Sequence, residues 1–166
     1  SLQRIAEQTG DTVFLSVRSG YDSVCIDRKE SGFPIKALTL EVGARRPLGV
    51  GAGGMALLLP LPDDAIDEIV RANARRLGSH SLTVPSLMKM LRRSQRLGYA
   101  LNDAHVTAAA TTLGLPIVNR YGHPFAALSM AAISSRMPPK RQAELVVILQ
   151  SEIEMIEGAL EQVTRP

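Results

Sequence analysis

The sequence predicts an α+β domain in which helices cover the faces of an antiparallel sheet. Residues 12–18 and 23–28 alternate between apolar and polar side chains around a short turn, which is typical of a β-hairpin. A second hairpin is predicted from residues 107–118 and 125–133, and apolar residues at helical spacing lie between the hairpins and after the second one. Strands in hairpin-linked groups, separated by helices, indicate an antiparallel sheet and not alternating β-α-β units.

The composition is that of one globular domain, since the chain has 166 residues, of which 45% are hydrophobic and 21% are charged. The net charge is only +3 and aromatic residues make up 4%, so neither a basic nucleic-acid footprint nor a base-stacking surface is indicated. No apolar run reaches about 18 residues, so no membrane span is predicted. No signal peptide is recognisable, and we expect a cytoplasmic protein.

Few residues suggest metal or redox chemistry. The one cysteine, Cys25, lies in a strand-like run and provides no disulfide framework. The three histidines, His80, His105 and His123, have no metal-ligand partner at motif spacing. We therefore predict neither a metal site nor a cofactor.

The first elements are a helix and three strands. Apolar residues at helical spacing predict a helix over residues 1–9, which we interpret as the end of a linker helix that follows a domain absent from this chain. The hairpin of residues 12–28 comes next. A third strand is predicted at residues 35–42, after glycine and proline have broken the chain.

The stretch RRPLGVGAGGMALLL, residues 45–59, follows that strand. We interpret it as a glycine-rich turn that leads into the first turn of a short buried helix, and the apolar run of residues 55–59 stops at Pro60. The first amides of a helix have no internal partner and carry a positive partial charge, so the turn predicts a small anion site. In an alternative interpretation, the glycines only allow the helix to pack closely on the strand.

Gly49, Gly51 and Gly54 match the dinucleotide fingerprint G-x-G-x-x-G. That fingerprint requires a full helix and then a second parallel strand. Here Pro60 ends the helix, and residues 62–74 have the pattern of another helix with acidic residues in its first turn. A Rossmann-like cofactor site is therefore kept only as an alternative.

The remaining predicted elements are a helix over residues 84–97, a strand at 99–102, the second hairpin, and a last helix over residues 139–163. The strands of the second hairpin are rich in alanine, threonine and serine. Such strands cannot fill a core by themselves, so either a bulky helix covers them or they border a hollow. A hollow beside the glycine turn would be a ligand pocket.

Three segments resemble the effector-binding domain of IclR-type transcriptional regulators: residues 47–59 (PLGVGAGGMALLL), 96–103 (RLGYALND) and 115–137 (LPIVNRYGHPFAALSMAAISSRM). Their order and spacing extend the resemblance over essentially the whole chain. It implies a single domain over residues 1–166 with a GAF-like (profilin-like) fold, whose six-stranded antiparallel sheet is flanked by helices. It also implies a homodimer or homotetramer that contacts DNA only through an N-terminal winged helix-turn-helix domain, which this fragment lacks.

The resemblance further implies, by position, an effector pocket that binds a small organic acid. The backbone of Ala52 and Gly53 corresponds to the amides that meet the ligand carboxylate. No lysine or arginine belongs to the pocket set. That set is Ile35, Leu38, Ala52, Gly53, Asn102, Ala110, Thr112, Ser129 and Ala131.

The sequence departs from the family pattern at four positions near this pocket. Gly49 stands where histidine is usual and Met55 where lysine is usual. Asn102 replaces a carboxylate and Ala131 replaces a hydroxyl. The effector of other family members therefore cannot be assumed, and the apolar Ala131 favours an aromatic or longer aliphatic acid over a two- or three-carbon oxoacid.

The leading hypothesis is a ligand sensor that modulates DNA binding by the missing domain. An enzyme is the alternative, for example a hydrolase built from Ser129, Asp103 and either His123 or His105. No G-x-S-x-G elbow surrounds any serine, and a serine within a strand is poorly exposed for nucleophilic attack. We therefore predict no catalytic residue and no enzyme activity.

A third possibility is an oligomerisation module that binds no ligand. It predicts that large side chains fill the space beside Ala110 and Ala131. The sequence does not distinguish an activator from a repressor, and it does not identify the operator or the effector.

Overall fold

The computed structural model describes residues 2–31, 40–103 and 110–164. Within these residues the helices are α1 (Leu2–Thr9), α2 (Gly51–Ala56), α3 (Asp63–Ala72), α4 (Ala74–Leu77), α5 (Val84–Leu97) and α6 (Pro139–Val163), with 3-10 turns at Gly78–His80 and Ser134–Arg136. The strands are β1 (Thr12–Ser19), β2 (Asp22–Lys29), β3 (Arg45–Pro47), β4 (Ala100–Asn102), β5 (Ala110–Val118) and β6 (Pro124–Ile133). In this described part, no helix is both long and apolar enough to cross a membrane.

The six described strands form one antiparallel sheet in the order β3-β2-β1-β6-β5-β4. The two predicted hairpins supply the four inner strands. β1 and β6 join the hairpins at the centre of the sheet, where Thr12 lies opposite Ala131. The predicted α+β class, a six-stranded antiparallel sheet flanked by helices, is confirmed.

Helices cover both faces of the sheet. On one face, β5 contributes Leu113, Leu115 and Ile117 to a core that α1 and α6 complete. On the other face, Gly114 lies so close to α2 that an added Cβ would be 3.0 Å from the carbonyl oxygen of Ala52. The small residues of the second hairpin therefore allow the short helix α2 to pack directly on the sheet.

Local sequence sets both ends of α5. The backbone N–H of Ser86 donates to the Thr83 hydroxyl at 3.2 Å, and the Thr83 N–H donates to the Ser86 hydroxyl at 2.9 Å. This reciprocal pair is a capping box, in which serine takes the place of the usual glutamate. Gly98 ends the helix in the left-handed conformation, with φ of 85°. The predicted bounds, 84–97, are confirmed.

Most of the strand predicted at residues 35–42 lies outside the described residues, since residues 32–39 are not described, and residues 40–42 are not in a strand. The next described strand is β3, which was not predicted and which pairs with residues 22–24 of β2. Gly43 turns the chain towards it with φ of 88°, and its N–H donates to the carbonyl oxygen of Cys25 at 2.7 Å. Because β3 is short and polar, no apolar alternation marks it, and only its pairing with β2 defines it.

Helix α2 begins at Gly51 and ends at Ala56, before the predicted end at Pro60. Gly53 and Gly54 are therefore helical residues and not part of a turn. Glycine has a low helix propensity, but close packing requires it here. A Cβ added at either position would lie 3.3 Å from a serine hydroxyl of the sheet.

The predicted helix over residues 62–74 is divided at Asn73 into α3 and α4. The side-chain amide of Asn73 donates to the carbonyl oxygen of Tyr21 at 2.8 Å, in the turn between β1 and β2. This contact is made between residues far apart in sequence, so the helical pattern gives no sign of the interruption.

A buried ion cluster ties α1 to the start of α6. The Asp11 carboxylate is fully buried, 3.0 Å from Nη1 of Arg136 and 2.6 Å from Nη2 of Arg141. These contacts have the distances of ion pairs but not the geometry of hydrogen bonds, so we treat them as ion pairs. Both arginines also donate to the carbonyl oxygen of Thr9 at the end of α1. The cluster thereby holds α1 in one orientation on the sheet.

Candidate functional site

An enclosed cavity of about 30 Å³ lies between α2 and the sheet. That volume accommodates roughly two water molecules, or one group of the size of a carboxylate. Its polar wall is formed by Ser16, Ser23, Arg46, Thr112 and Ser129, its apolar wall by Phe14 and Leu40, and its remaining wall by residues 50–54. Five strands and the first turn of α2 thus meet around one small space.

Four residues of the predicted pocket set line this cavity: Ala52, Gly53, Thr112 and Ser129. Ala110 and Ala131 lie next to it, packed against Phe14 and Cys25. Asn102 is buried on β4 directly opposite Thr112, but it is not part of the described wall. Ile35 and Leu38, like His105, lie outside the described residues.

Gly53 is the point at which the two serine hydroxyls of the central strands converge. A Cβ added to Gly53 would lie 3.3 Å from Oγ of Ser16 and 3.3 Å from Oγ of Ser129. The register of the strands places Ser129 at this point. Ser129 lies opposite Phe14 in the β1–β6 ladder and opposite Gly114 in the β5–β6 ladder. Any side chain larger than that of glycine here would enter the cavity.

The hydroxyl of Thr112 lacks a hydrogen-bond partner in the described part of the chain. Thr112 is 8% exposed, and its Oγ1 is fully buried in the cavity wall. A buried hydroxyl without a partner costs about 1–3 kcal/mol, so nearly all such groups are satisfied by protein, water or ligand. Thr112 is therefore a buried polar residue of the wall whose hydroxyl has no partner among the described residues.

Arg46 is the charged residue of the cavity wall that sequence reasoning missed. It lies on β3 directly opposite Ser23, which is itself part of the wall. Burial lowers the pKa of the Arg46 guanidinium from its ordinary value, a sign that its charge is partly removed from water. The expectation of a pocket without lysine or arginine is therefore wrong. The available signal was the Arg45–Arg46 pair, since strand alternation turns one of two neighbours inward.

The positive charge of Arg46 affects the protonation of His80. Burial, and next the charges of Arg46 and Arg76, lower the pKa of the His80 imidazole below its ordinary value. His80 is therefore neutral at physiological pH and adds no charge to this side of the molecule.

The first turn of α2 faces the same cavity. Val50 precedes the helix in an extended conformation, and no side chain of the described residues caps the first amides. Ala52 and Gly53 line the wall and belong to a helix of only six residues. The field of so short a helix is small, which makes Arg46 the stronger source of positive charge.

The cavity is smaller than the sequence suggested. Phe14 packs beside Ala110 and Ala131, and Leu40 closes another side. About 30 Å³ leaves room for one group of the size of a carboxylate, and the preference for an aromatic or longer aliphatic acid stays a prediction. The reason for the small size lies in packing, because Phe14 occupies the space that the small residues leave.

Among the described residues, those of the hypothetical hydrolase are not brought together, and His105 lies outside the described part. Ser129 lies in the middle of β6, whereas His123 immediately precedes that strand, at a distance of roughly 20 Å along it. Asp103 is paired with Arg93 at 2.8 Å. In the described part of the chain, no group of three or more histidine, cysteine, aspartate or glutamate side chains is placed to hold a metal.

A larger groove of about 660 Å³ is open to solvent between α5, the end of β5 and α6. It shares no lining residue with the enclosed cavity. Its walls are mostly apolar, with Leu115, Pro116 and Ile153 at the base. We regard the smaller cavity as the candidate site, because buried polar groups converge there and do not in the groove.

The model of the family "Bacterial transcriptional regulator IclR C-terminal" matches residues 1–157. The chain is 27% identical over 150 residues to the HTH-type transcriptional repressor AllR of Klebsiella pneumoniae, and 29% identical over 150 residues to that of Salmonella typhi. Each match covers 87% of this chain and 55% of the relative. The chain thus spans about half the length of the curated relatives it matches.

Solved structures show the same fold. The crystal structure of Thermotoga maritima IclR has a TM-score of 0.83 at 24% identity, covering 96% of this chain and 65% of that one. The C-terminal domain of the Escherichia coli transcriptional regulator KdgR has a TM-score of 0.78 at 21% identity, covering 95% and 92%. At these identities the likeness supports the α+β architecture and carries no statement about ligands.

Proposed function

The chain belongs to the family of bacterial transcriptional regulator IclR C-terminal domains. From this premise, we propose that it senses a small organic acid. Binding of the acid would modulate DNA binding by an N-terminal winged helix-turn-helix domain outside residues 1–166. The observation that carries the proposal is the enclosed cavity with the unpartnered hydroxyl of Thr112 in its wall. The parent protein would act in the cytoplasm and contact DNA only through the missing domain. Residues 1–9 would be the end of the helix that links the two domains.

Regulators, and not enzymes, make up this family, so the prediction of a non-enzymatic domain is confirmed. The alternatives of a Rossmann-like cofactor site and a Ser129 hydrolase are therefore set aside. A sensor needs only a ligand that binds one conformation better than another. The polar groups of the cavity wall supply such contacts without any reactive side chain.

The cavity walls suggest a route from ligand to DNA-binding domain. Phe14 and Ser16 lie on β1, which begins directly after Asp11. Ser129 lies on β6, which ends shortly before Arg136. Asp11 and Arg136 are partners in the ion cluster that holds the end of α1. A ligand that shifts β1 against β6 would therefore act on the orientation of α1, the element closest to the missing domain.

Substitution of Gly53 tests where the ligand lies. Gly53→Val should abolish stabilisation by acids, because its side chain would enter the space between the Ser16 and Ser129 hydroxyls. A ligand at 100 times its dissociation constant adds about 2.7 kcal/mol of stability, so thermal denaturation with and without a panel of two- to eight-carbon carboxylic acids is a sufficient assay. Gly53→Ala provides the milder variant if valine prevents folding.

The matched control for that experiment is Gly158→Val on the exposed side of α6, where nothing lies within 4 Å of an added Cβ. It should retain the wild-type response to acids. An acid response that survives in both Gly53 variants would show that the ligand binds elsewhere.

An oligomerisation module without a ligand is the second candidate, and one observation favours it. Phe14 fills the space beside Ala110 and Ala131, as that hypothesis predicted. The two candidates differ in the acid panel: a sensor is stabilised by at least one acid, whereas a ligand-free module is stabilised by none.

We also propose that the domain forms a homodimer or homotetramer, as a regulator of two-fold symmetric sites requires. Val147 and Met155 on α6 are 62% and 52% exposed, and they provide apolar surface for such contacts. Sedimentation velocity at tens of micromolar should give at least twice the mass of the 17.9 kDa chain. A single species with the mass of one chain would contradict this proposal.

A further inference from the structure

We propose that the open groove between α5 and α6 receives a second copy of this chain, and that the basic helix α5 of each copy pairs with the acidic helix α6 of the other. The inference rests on the proposed homo-oligomer, and it names the surface through which two copies meet. The groove is the one of about 660 Å³ with Leu115, Pro116 and Ile153 at its base. Pairing of two copies here needs no ligand in the enclosed cavity, since the two spaces share no lining residue.

The two helices that border the groove carry opposite charges. Helix α5 contains four basic residues and no acidic residue. The basic residues are Lys89, Arg92, Arg93 and Arg96. From residue 142 to its end, α6 contains five acidic residues and no basic residue. The acidic residues are Glu144, Glu152, Glu154, Glu157 and Glu161. The groove therefore has one basic side and one acidic side.

The basic rim is a row of three side chains on α5, Lys89, Arg92 and Arg96, spaced so that they share one helix face. Nη1 of Arg92 donates at 2.8 Å to Oε1 of Gln95, which lines the groove. Arg92 is also paired with Asp63 at 3.0 Å. Lys89 and Arg96 are exposed, and neither has an ion-pair partner in the described part of the chain. Two positive charges of this rim are therefore available to a partner.

The acidic rim is a row of three side chains on α6, Glu154, Glu157 and Glu161, with the same spacing. Glu154 is exposed and lines the groove. Oε1 of Glu157 accepts from the backbone N–H of Val118 at 2.9 Å, which fixes the row beside the end of β5. Within residues 2–31, 40–103 and 110–164, neither Glu154 nor Glu161 has an ion-pair partner. This rim therefore presents negative charge that its own chain does not neutralise.

The base of the groove is a sheet edge that is closed to strand pairing. β4 pairs with β5 only at residues 112–114, so residues 115–118 have no neighbour on this side among the described strands. Pro116 has no N–H, and the N–H of Val118 already donates to Glu157. An extended segment would find few hydrogen-bond partners there. The occupant must therefore bind through its side chains, with apolar groups at the base and charged groups at the rims.

A second copy of the chain meets these requirements. When two copies face each other across a two-fold axis, α5 of one copy lies against α6 of the other, and the same contact is made twice. Each basic rim then meets an acidic rim, and a contact between like charges is avoided. Leu97 is 44% exposed at the end of α5, beside Gly98 of the groove wall, and it provides an apolar side chain for the partner's groove.

Charge reversal on each rim tests this pairing. The variants are Arg96→Glu and Glu154→Arg, studied by sedimentation velocity over a concentration series up to tens of micromolar. Each single variant places like charges together at both copies of the contact, so its association should be about 10- to 100-fold weaker and its sedimenting mass should fall by half. An equal mixture of the two variants should associate as wild type does, because both contacts between unlike chains then join opposite charges.

Salt and a matched control make the result specific. Raising the ionic strength from 0.1 to 1 M shortens the screening length from about 10 Å to about 3 Å. Association of wild-type protein should therefore weaken, whereas that of each single variant should strengthen. Arg75→Glu makes the same change at an exposed position of α4 outside the groove and should leave association unchanged. Thermal denaturation of each variant confirms that it is folded.

The outcomes separate this surface from the proposed homo-oligomer. If wild-type protein associates and both single variants associate as strongly, the groove does not receive a second copy, although the homo-oligomer stands. If the single variants are weakened and their mixture does not recover, α5 and α6 of different copies do not pair. If wild-type protein is a monomer, the homo-oligomer and this surface are both overturned.

Discussion

Asp11→Asn should lower the free energy of unfolding by about 3 kcal/mol, because it breaks a buried ion cluster and leaves two arginines without their carboxylate. Asp11 has 0% side-chain exposure, and Arg136 and Arg141 lie within 3.0 Å of its oxygens. The two arginine side chains are 22% and 23% exposed, so water can partly replace the lost carboxylate. We therefore expect an effect near the lower end of the range for broken buried ion pairs, about 3–5 kcal/mol.

Urea denaturation at pH 7 measures this effect. Asp67→Asn, on an exposed position of α3, is the matched control and should change stability by less than about 0.5 kcal/mol. The same substitution at Asp11 should also increase amide exchange in α1, since both arginines hold the carbonyl of Thr9. If Asp11→Asn is as stable as the control, the cluster does not hold α1.

Gly49→Ala should destabilise the domain by about 3 kcal/mol, for two reasons that add. Gly49 has φ of 100°, a conformation that costs an alanine about 1–2 kcal/mol. Its Cβ would also lie 2.6 Å from Cδ2 and 3.1 Å from Cδ1 of Leu87, and 3.4 Å from Leu58. Both leucines are 0% exposed, so they have little space into which to move, and overpacking of this kind costs about 1–3 kcal/mol.

Gly158→Ala is the control for Gly49→Ala and should have the opposite sign. Gly158 lies within α6 with nothing within 4 Å of an added Cβ, so alanine should stabilise the helix by about 0.5–1 kcal/mol. Thermal denaturation of both variants gives the comparison. A Gly49→Ala protein within 1 kcal/mol of wild type would show that the backbone of this turn adapts.

The elements that could be predicted from sequence are those with a local cause. Alternating side chains predicted the first hairpin, and two β-like runs of small residues around a turn predicted the second, whose strands are buried on both faces. Pro85 and Gly98 marked the ends of α5, because proline in the first turn and a left-handed glycine act within a few residues. Motif resemblance added the family and the general position of the pocket, of which Ala52, Gly53, Thr112 and Ser129 line the cavity.

The features that the sequence did not predict have no local cause. β3 exists because residues 45–47 pair with β2, and its own sequence carries no apolar pattern. Helix α2 includes Gly53 and Gly54 because only glycine fits against the serines of the sheet, although local propensity opposes a helix there. In both cases, contacts with distant parts of the chain outweigh local preference.

The sequence by itself determined the α+β class and the two hairpins, and it predicted a ligand site at the glycine-rich segment, because each depends on side-chain pattern or on a motif within one stretch. Only the tertiary structure decided which residues face the cavity and how large it is. Arg46 enters the wall through the register of β3 against β2, and Phe14 reduces the space beside Ala110 and Ala131. The Asp11 cluster joins residues 125 and more positions apart, which no local pattern encodes. Packing and pairing between distant segments set these features, and they become visible only when the chain is folded.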